Sequence, residues 1–432
     1  MNRVDQNRDE IRFTSAIVER LAGRFAFAVS SGASPDAPRP VDVEATNEAM
    51  ALRGRRLHEF VAVAPGDSRV MMLEDVVAGE PPLAPKQIGV VILCGGVSFR
   101  SQGKVHPLLS VEDPRTKERR TLLDRKLDRL HRSPLREATP LIVCTPLNEA
   151  ALQAHLQAYP VARRPRLYAG GLAPRLLPVQ HASGPLLFFR DPSGDIAYNP
   201  AGHLEALRWL IVGGMLADYV DLQLVVTMSY SNWGRTFTEE TLALANRVVR
   251  TTRAHPETLL FVEVTRRPRE KKTGSMLVTS DERGDDLRLV KYSYGGGRPR
   301  LSSGESVLMS TNTLYFSVPN LLRRLQHAGP AVGLPDDRAG LVQLLRDAAD
   351  HRRRRQLDAL FEAALPVEPH LIPVRRDGTV SSLRVERDLD QLTLIPGPSL
   401  MKAVEVNPDR GVTIKKPDDL TAPDKQRFLF ET

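Results

Sequence analysis

The sequence predicts an α/β fold with a mixed, mostly parallel β-sheet and helices on both of its faces. From residue 88 onward, short apolar runs alternate with longer amphipathic stretches. The first of these runs, Val90 to Leu93, lacks the alternation of a half-exposed strand, and strand-like runs predominate after Gly274. Alternating strands and helices favour parallel pairing, and ligands of such sheets bind beyond the carboxyl ends of the strands.

The predicted elements follow in chain order. A helix over residues 41–56 comes after a connector rich in Ser, Pro and Ala, and a proline-rich link at 81–85 follows it. Later strands are predicted at 89–93, 140–144, 222–228, 259–264, 275–278, 287–294, 307–316 and 403–406. Helical stretches are predicted at 122–130, 149–157, 204–215, 321–326 and 338–364.

This pattern divides the chain into residues 1–85 as an N-terminal extension, 86–330 as a core, and 331–432 as a helical segment with a final strand. The formal net charge is +8, which suits anionic phosphate substrates. Nucleic acid is not an expected partner, because no RNA-recognition signature or basic region with heptads is present. The run from His351 to Gln356 is interpreted as a solvated helix face.

Two cysteines, Cys94 and Cys144, fall in or beside predicted buried strands, so neither a disulfide framework nor a zinc site is expected. The sequence shows no apolar core of signal-peptide length and no apolar stretch of about 18 residues. A cytoplasmic protein without a membrane partner is therefore expected.

The segment after the first buried strand is the main candidate for a ligand site. Gly95 and Gly96 end the apolar run, and Arg100 and Lys104 follow in a loop of small residues. Glycines let a ligand approach the backbone, and free N–H groups with nearby cations suit phosphates. The loop matches neither standard phosphate-binding motif, so a buried strand with a glycine turn and no ligand is an equally good interpretation of this segment alone.

Further segments with unusual residue types occur in a fixed order after the glycine loop. Together they resemble the UDP-glucose pyrophosphorylase family of sugar-1-phosphate nucleotidyltransferases, over roughly residues 86 to 420, and imply a Rossmann-like catalytic domain. The segments are Thr121 to Asp124, Pro140 to Asn148, Asn199 to Glu205, Ser231 to Gly234, Glu263 to Thr265, Lys271 to Ser275, Ser310 to Tyr315 and Arg410 to Leu420.

The resemblance implies an enzyme that transfers a nucleoside monophosphate from a nucleoside triphosphate to a sugar 1-phosphate, with release of pyrophosphate and with Mg²⁺ as cofactor. It also assigns roles by position. Its catalytic set is Arg100, Lys104, His203 and Lys415. Its nucleotide-binding set is Gly95, Gly96, Gly170, Gly202 and Asn232. Its substrate-binding set is Glu263, Thr265, Lys272, Asn312 and Thr313.

Three departures from the family pattern bear on activity. The lysine that the family carries after a proline is missing, because Leu108 follows Pro107, and Ser231 stands where the family has an aspartate. The metal ligands are therefore not identified. Gly170 stands where the family has a glutamine that recognises uracil. Losing that amide and leaving space behind favours a purine donor, with GTP expected ahead of UTP.

The acceptor is less closely defined. The Ala-, Arg- and Pro-rich composition is typical of bacteria with GC-rich genomes, in which divergent family members serve antibiotic biosynthesis. One such member is the guanylyltransferase that acts on valienol 1-phosphate. A cyclitol 1-phosphate is therefore a second acceptor candidate, and Lys291, in a region where the family tends to be acidic, is consistent with an altered acceptor pocket.

Two expectations concern assembly and activity. The β-helix that many family members carry at the C-terminus is expected to be absent, so a monomer or a small homo-oligomer is expected. A UTP-dependent uridylyltransferase remains an alternative donor assignment. A catalytically inactive relative that binds nucleotide sugars or a protein partner also remains open, supported by Leu108 and Ser231.

Overall fold

The computed structural model of the chain describes residues 39–95, 105–113, 115–160, 164–180, 188–268, 274–280, 286–295, 297–301, 306–376, 378–397, 399–410, 412–414 and 417–430. The strands in these residues are β1 (Arg39–Pro40), β2 (Val61–Ala62), β3 (Val70–Met72), β4 (Ile88–Leu93), β5 (Ser110–Glu112), β6 (Arg119–Thr121), β7 (Thr139–Cys144), β8 (Arg166–Ala169), β9 (Leu172–Pro174), β10 (Val179–Gln180), β11 (Tyr198–Pro200), β12 (Leu224–Ser229), β13 (Asn232–Trp233), β14 (Leu260–Pro268), β15 (Ser275–Thr279), β16 (Leu287–Lys291), β17 (Arg300–Leu301), β18 (Ser306–Ser317), β19 (His370–Arg376), β20 (Thr379–Glu386), β21 (Met401–Glu405) and β22 (Val412–Thr413).

The α-helices in the same residues are α1 (Val43–Met50), α2 (Leu73–Gly79), α3 (Leu122–Arg132), α4 (Glu149–Gln157), α5 (His203–Val212), α6 (Glu239–Ala254), α7 (Val318–Ala328), α8 (Arg338–Arg346), α9 (His351–Ala364) and α10 (Pro423–Phe430). Across the described residues, no helix combines the length and the apolar character that crossing a bilayer requires.

Four parallel strands in the order β8-β7-β4-β12 position the candidate site. The chain leaves β4 for β7 and β8 on one side and returns on the other side to form β12. This reversal is a topological switch point, and open α/β sheets bind their ligands in the crevice that such a point leaves at the carboxyl ends of the strands.

Strand β4 is buried along its whole length, because helices cover both faces of the sheet. Val91 and Leu93 pack into one core cluster, whereas Val90 and Ile92 pack into another. A strand with two buried faces needs apolar residues at every position. The unbroken apolar run of the sequence therefore predicted this strand correctly.

The rest of the main sheet is mixed. The long strand β18 lies antiparallel to β12 and β14, and it contacts β15 at Met309. Strand β14 pairs with β21 in parallel, and β21 pairs with β3. Strand β15 pairs with β16 and β2 in the antiparallel sense. Residues 61–62 and 70–72, from the N-terminal region, thus belong to the main sheet, and the predicted α/β class with a mixed sheet is confirmed.

Most predicted elements are present, with three differences in extent. The first helix spans only Val43–Met50, and the strand predicted over 287–294 ends at Lys291. The helical stretch predicted over 338–364 is two helices, because Asp350 caps a new one: its carboxylate accepts hydrogen bonds from the N–H groups of Arg352 and Arg353 at 2.8 and 3.0 Å. The Arg-rich first turns of α9 are largely exposed, as predicted.

Candidate functional site

A cavity of about 530 Å³ lies at the carboxyl ends of the four parallel strands. Residues that end or follow these strands line it: Leu93, Gly95, Val143, Cys144, Thr145, Gly170, Gly171, Ser229, Tyr230 and Ser231. The rest of the wall has two parts. The segment before α5 and the first turn of α5 form one part, and β16, β20 and Asp388 form the other. The cavity therefore occupies the place that the fold reserves for a ligand.

The turn after β4 is held to the neighbouring strand by Asn148. Its side-chain amide donates to the carbonyl oxygen of Cys94 at 2.7 Å, and its oxygen accepts from the N–H of Thr145 at 3.0 Å. Asn148 is buried, as are both cysteines, and burial raises the pKa of the Cys94 thiol, so that thiol is uncharged at neutral pH. The backbone of Cys94, which precedes Gly95, is thus fixed at the cavity edge by a hydrogen bond to a residue of a resemblance segment.

Gly170 and Gly171 line the cavity, but the expected space behind Gly170 is absent. A Cβ at position 170 would lie 2.7 Å from Cγ of Trp209, whose ring is fully buried. The indole therefore fills the volume that the sequence argument had left for a larger base. The expected room for a larger base behind Gly170 is therefore wrong, because Trp209 occupies the space that the missing side chain leaves.

The segment before α5 has a conformation that requires glycine. Gly202 has φ +96°, and a Cβ there would overlap the carbonyl oxygen of Arg387. The backbone of Arg387 holds this segment from both sides, since its N–H donates to Ala201 and its carbonyl oxygen accepts from the N–H of Leu204 at 2.7 and 2.9 Å. As a result, Gly202 and His203 lie in the cavity wall at the N-terminus of α5.

A buried ionic network supports this arrangement. Arg208 of α5 is fully buried and bonds Asp358 of α9 at 2.7 Å and Glu205 at 3.0 Å. Glu205 also accepts a hydrogen bond from Arg387 at 2.6 Å. Burial alone would raise the pKa of the Glu205 carboxyl, but Arg387 and Arg208 outweigh it and hold the pKa below its usual value. The network ties α5, α9 and the residue after β20 together behind the cavity.

One wall of the cavity is acidic and carries a single lysine. Glu386, Asp388 and Lys291 line it, and the Lys291 ammonium is ion-paired with Asp388 and lies 3.4 Å from Asp390. Burial, followed by repulsion from Asp388, raises the pKa of Glu386 to about 7. Burial opposes ionisation of Asp388 as well, but Lys291, His370 and His203 together lower its pKa below the usual value. The cavity thus presents two carboxylates beside cationic groups.

Ser231 lines the cavity, while Asn232 lies behind it. The Ser231 hydroxyl is 2.8 Å from the hydroxyl of Ser229, and the Asn232 amide donates to the carbonyl oxygen of Thr311 at 2.5 Å. Lys126 of α3 donates to the carbonyl oxygen of Asn232 from a buried position next to Trp233. Burial, assisted by Arg129, lowers the pKa of Lys126 to about 7. This loop is therefore fixed from behind by a lysine that is partly neutral at pH 7.

The predicted substrate-binding residues on β14 and β18 are not among those that line the cavity. Glu263 is fully buried, where its carboxylate accepts hydrogen bonds from Tyr315 at 2.6 Å and from Arg410 at 3.0 Å. Thr265 and Thr313 are buried as well, and Asn312 has φ +62°. Their contact with a sugar stays a prediction. Gly96, Arg100, Lys104, Lys272 and Lys415 lie outside the described residues.

Sequence reasoning missed several cavity residues. His106 lies in the wall and packs against Tyr230 with ring centroids 5.3 Å apart. It directly precedes Pro107, where the family pattern has its proline, so position was a usable signal. Arg175, directly after β9, and Asn199, in the resemblance segment Asn199 to Glu205, also line the cavity, and Oδ1 of Asn199 has no hydrogen-bond partner among the described residues. Glu386 and Asp388 had no such signal, because no resemblance segment covers β20.

The donor set can be tested against Mg²⁺, the cofactor that the resemblance implies. Mg²⁺ takes oxygen ligands and commonly uses one or two carboxylates with phosphates and water. Of the residues that line the cavity, Glu386 and Asp388 supply carboxylates, and Ser231 supplies only a hydroxyl. The high pKa of Glu386 indicates that its charge is incompletely compensated in this wall. The two carboxylates fit a divalent cation, whereas Ser231 is a poor substitute for an aspartate.

Comparison with known proteins supports the fold assignment. No family model and no curated protein matches the sequence. Among solved structures, a variant of UDP-glucose pyrophosphorylase from Leishmania major in complex with UDP-glucose is similar with a TM-score of 0.57 and 16% identity, over 97% of this chain and 77% of that chain. UDP-glucose phosphorylase from Trypanosoma brucei gives 0.56 and 15%, over 86% and 72%. At these identities the likeness shows a shared fold.

Proposed function

We propose that the protein is a nucleotidyltransferase that transfers a nucleoside monophosphate from a nucleoside triphosphate to a sugar 1-phosphate or a sugar-like cyclitol 1-phosphate. The cavity at the switch point carries this proposal, because glycine backbone at Gly95, Gly171 and Gly202 lines it together with His203 and Arg175. Similarity in fold to UDP-glucose pyrophosphorylases supports it. The combination suits a nucleotide and a second phosphate.

The proposed reaction places modest demands on the protein. An oxygen of the acceptor phosphate attacks the α-phosphorus, a P–O bond forms, and the bond to the bridging oxygen breaks as pyrophosphate leaves with its electron pair. The nucleophile is already an anion, so no general base is needed. The protein has to hold two anions in line and offset their charge. A divalent cation, when bound, would neutralise the triphosphate, and Glu386 and Asp388 would hold it.

The cationic residues would divide this work. His203, at the N-terminus of α5, is proposed to contact the phosphates, and Gly202 the base. Arg100 and Lys104 are proposed to act on the triphosphate from the glycine loop, replacing the lysine that is missing after Pro107. Lys415 and Lys272 are proposed to offer point charges to the acceptor phosphate or to the departing pyrophosphate.

GTP is the proposed donor, with UTP as the alternative. The support comes from the resemblance, since Gly170 stands where the family has a glutamine that pairs with uracil, and bare backbone at Gly170 and Gly171 lines the cavity. For the acceptor, Lys291, Glu386 and Asp388 offer both donors and acceptors for hydroxyl groups. Glucose 1-phosphate and valienol 1-phosphate are therefore both proposed as candidates, and the cyclitol rests on the resemblance alone.

One observation favours a second function. Ser231 lines the cavity at the position of the family's aspartate, and a hydroxyl is a weaker Mg²⁺ ligand than a carboxylate. Together with Leu108, this favours a protein that binds a nucleotide sugar without turning it over. The enzyme remains the first proposal, because Glu386 and Asp388 supply carboxylates elsewhere in the same cavity.

Pyrophosphate release from the purified protein with MgCl₂ tests the proposal directly. GTP, ATP, UTP and CTP would each be combined with glucose 1-phosphate, N-acetylglucosamine 1-phosphate and valienol 1-phosphate. Release with GTP and one acceptor is expected. A clear preference for UTP would reject the guanylyl assignment. Release with no combination, together with saturable binding of a nucleotide sugar, would replace the enzyme by the binding protein.

Variants locate the activity. His203→Ala should lower turnover by about 10²-fold, since it removes a group proposed to offset phosphate charge. The matched control is His255→Ala, at the C-terminal end of α6 and outside the cavity, which should leave turnover unchanged. Equal rates for the two variants would reject the role of His203.

A further inference from the structure

Behind the acidic wall of the cavity lies a histidine that the proposed reaction does not use. His370, the first residue of β19, is fully buried, and it brings its ring nitrogens close to the carboxylates of Glu386 and Asp388. The three ligand atoms lie within 4.8 Å of one another. An octahedral metal ion places opposite ligands roughly 4.2 Å apart at bond lengths near 2.1 Å. Small side-chain adjustments would bring these three atoms into that range.

The hydrogen bonds of Gln391 determine which nitrogen of His370 faces the carboxylates. The Gln391 amide nitrogen donates to the carbonyl oxygen of Glu368 at 2.7 Å, and its oxygen accepts from the N–H of Asp388 at 2.7 Å. The contact of 3.3 Å between this oxygen and Nδ1 of His370 therefore requires a proton on Nδ1. In the neutral ring, Nε2 then carries the lone pair, which is the form that binds metals.

Nε2 of His370 has no hydrogen-bond partner in the part of the chain that the structure describes. It lies 3.5 Å from Oδ2 of Asp388, so a lone pair and a carboxylate oxygen face each other. A shared proton or a metal ion between these two atoms would remove their repulsion, and the cavity side of the pair leaves room for a metal ion. Tyr294, which packs edge-on against the His370 ring, likewise has a fully buried hydroxyl with no partner among the described residues. Polar groups at this depth are normally satisfied.

Charge balance at the wall also favours a cation. Among the described residues, Glu386, Asp388 and Asp390 lie around the partly exposed ammonium of Lys291, and Arg384, which also lines the cavity, contacts Glu386 at 3.3 Å. Lys291 contacts both Asp388 and Asp390. It can therefore release Asp388 to another cation and remain paired with Asp390.

We propose that His370, Glu386 and Asp388 form a binding site for a divalent transition-metal ion of the Zn²⁺ or Mn²⁺ class. One imidazole nitrogen and two carboxylates suit these ions, whereas Mg²⁺ prefers oxygen ligands throughout. Glu386 and Asp388 line the cavity, so the remaining coordination positions face the space in which a ligand would lie. That the ion would contact a substrate oxygen rests on the proposed function; metal binding itself does not.

Isothermal titration of the full-length, EDTA-dialysed protein with ZnCl₂, MnCl₂ and MgCl₂, in the absence of any nucleotide, tests this site. We expect one Zn²⁺ or Mn²⁺ per chain and weaker binding of Mg²⁺. Glu386→Gln and His370→Asn should each weaken the affinity by at least roughly tenfold, because each removes a ligand. Thermal unfolding with and without the ion serves as a second readout, since a bound ion raises the unfolding temperature only where the site is intact.

Lys291→Met gives the sharpest distinction, because it should tighten binding by removing the competing ammonium. Lys402→Met, on β21 and outside the cavity lining, is the matched control and should leave affinity unchanged. Absence of saturable binding by the native protein would overturn the proposal, as would binding that Glu386→Gln and His370→Asn leave intact. If only the Lys291→Met variant bound the metal ion, the Lys291 ammonium would be the cation that this wall normally holds. Pyrophosphate release by a protein that shows no saturable Zn²⁺ or Mn²⁺ binding would leave the enzyme standing and reject only the site.

Discussion

The buried ammonium of Lys126 should make the stability of the protein depend on pH in a specific direction. Lys126 is 2% exposed, and its pKa is lowered from 10.5 to about 7. The unfolded chain binds a proton that the folded protein has partly lost, so stability should rise with pH between 7 and 10.5 and fall as pH decreases toward 7. The full effect is about 5 kcal/mol, because each pKa unit corresponds to about 1.4 kcal/mol.

The assay compares the native protein with Lys126→Met, which keeps the length of the side chain and removes its charge. Integrating the two pKa values gives a rise of about 2 kcal/mol between pH 7.5 and pH 9 in the unfolding free energy of the native protein relative to the variant. Urea denaturation at both pH values measures this difference. Lys86→Met is the control, since Lys86 is exposed in a short 3₁₀ helix.

A difference between native protein and variant that stays constant across this pH range would refute the reasoning. It would mean that Lys126 keeps its proton in the folded state, so that its hydrogen bond to Asn232 and its contact with Trp233 offset the loss of water. The Lys86→Met protein should show no change of slope relative to the native protein, and a slope there would point to a general effect of removing positive charge.

Three further predictions concern single positions. Gly202→Ala should destabilise the protein by at least about 3 kcal/mol in chemical denaturation, because it combines a left-handed φ with overlap against Arg387. Gly54→Ala, at φ +82° with nothing within 4 Å, should cost only about 1 kcal/mol. Equal losses in the two variants would show that the overlap with Arg387 contributes nothing. Asp350→Ala should cost about 1 kcal/mol by removing the cap of α9, with Asp350→Asn close to native; equal loss in both would contradict the capping role. Gly170→Ala should shift the fluorescence of Trp209, and an unchanged spectrum would contradict their contact.

The periodicity of the sequence predicted the sheet well, because burial dictates residue type there. Strand β4 has both faces in a core, and its unbroken apolar run follows from that. Element ends were less predictable. Asp350 starts a new helix by a local hydrogen bond, while the apolar pattern continues across it and indicates one helix. A helix cap depends on a single side chain, so hydrophobic periodicity does not reveal it.

The sequence predicted the part of the candidate site that follows the parallel strands. It did not predict the part formed by residues far away along the chain. Gly95, Gly170, Gly202 and His203 line one cavity, as their places in the motif segments suggested. The acidic wall was missed, because β20 lies far along the chain and reaches the site through the pairing of Leu176 with Leu383 and the backbone hydrogen bonds of Arg387. The position of Gly170 in the sequence also led to a wrong expectation of free space, since the packing of Trp209 explains why glycine is required there.

The two faces of β4 have a consequence for how the protein loses its structure. Val91 belongs to one apolar cluster and Ile92 to the other, and β4 forms part of the boundary that seals both. Water that reaches one cluster through a displaced β4 also reaches the second, so neither cluster persists without the strand. We therefore expect the parallel part of the sheet and the helices on both of its sides to unfold together, in one transition rather than in a separate one for each layer.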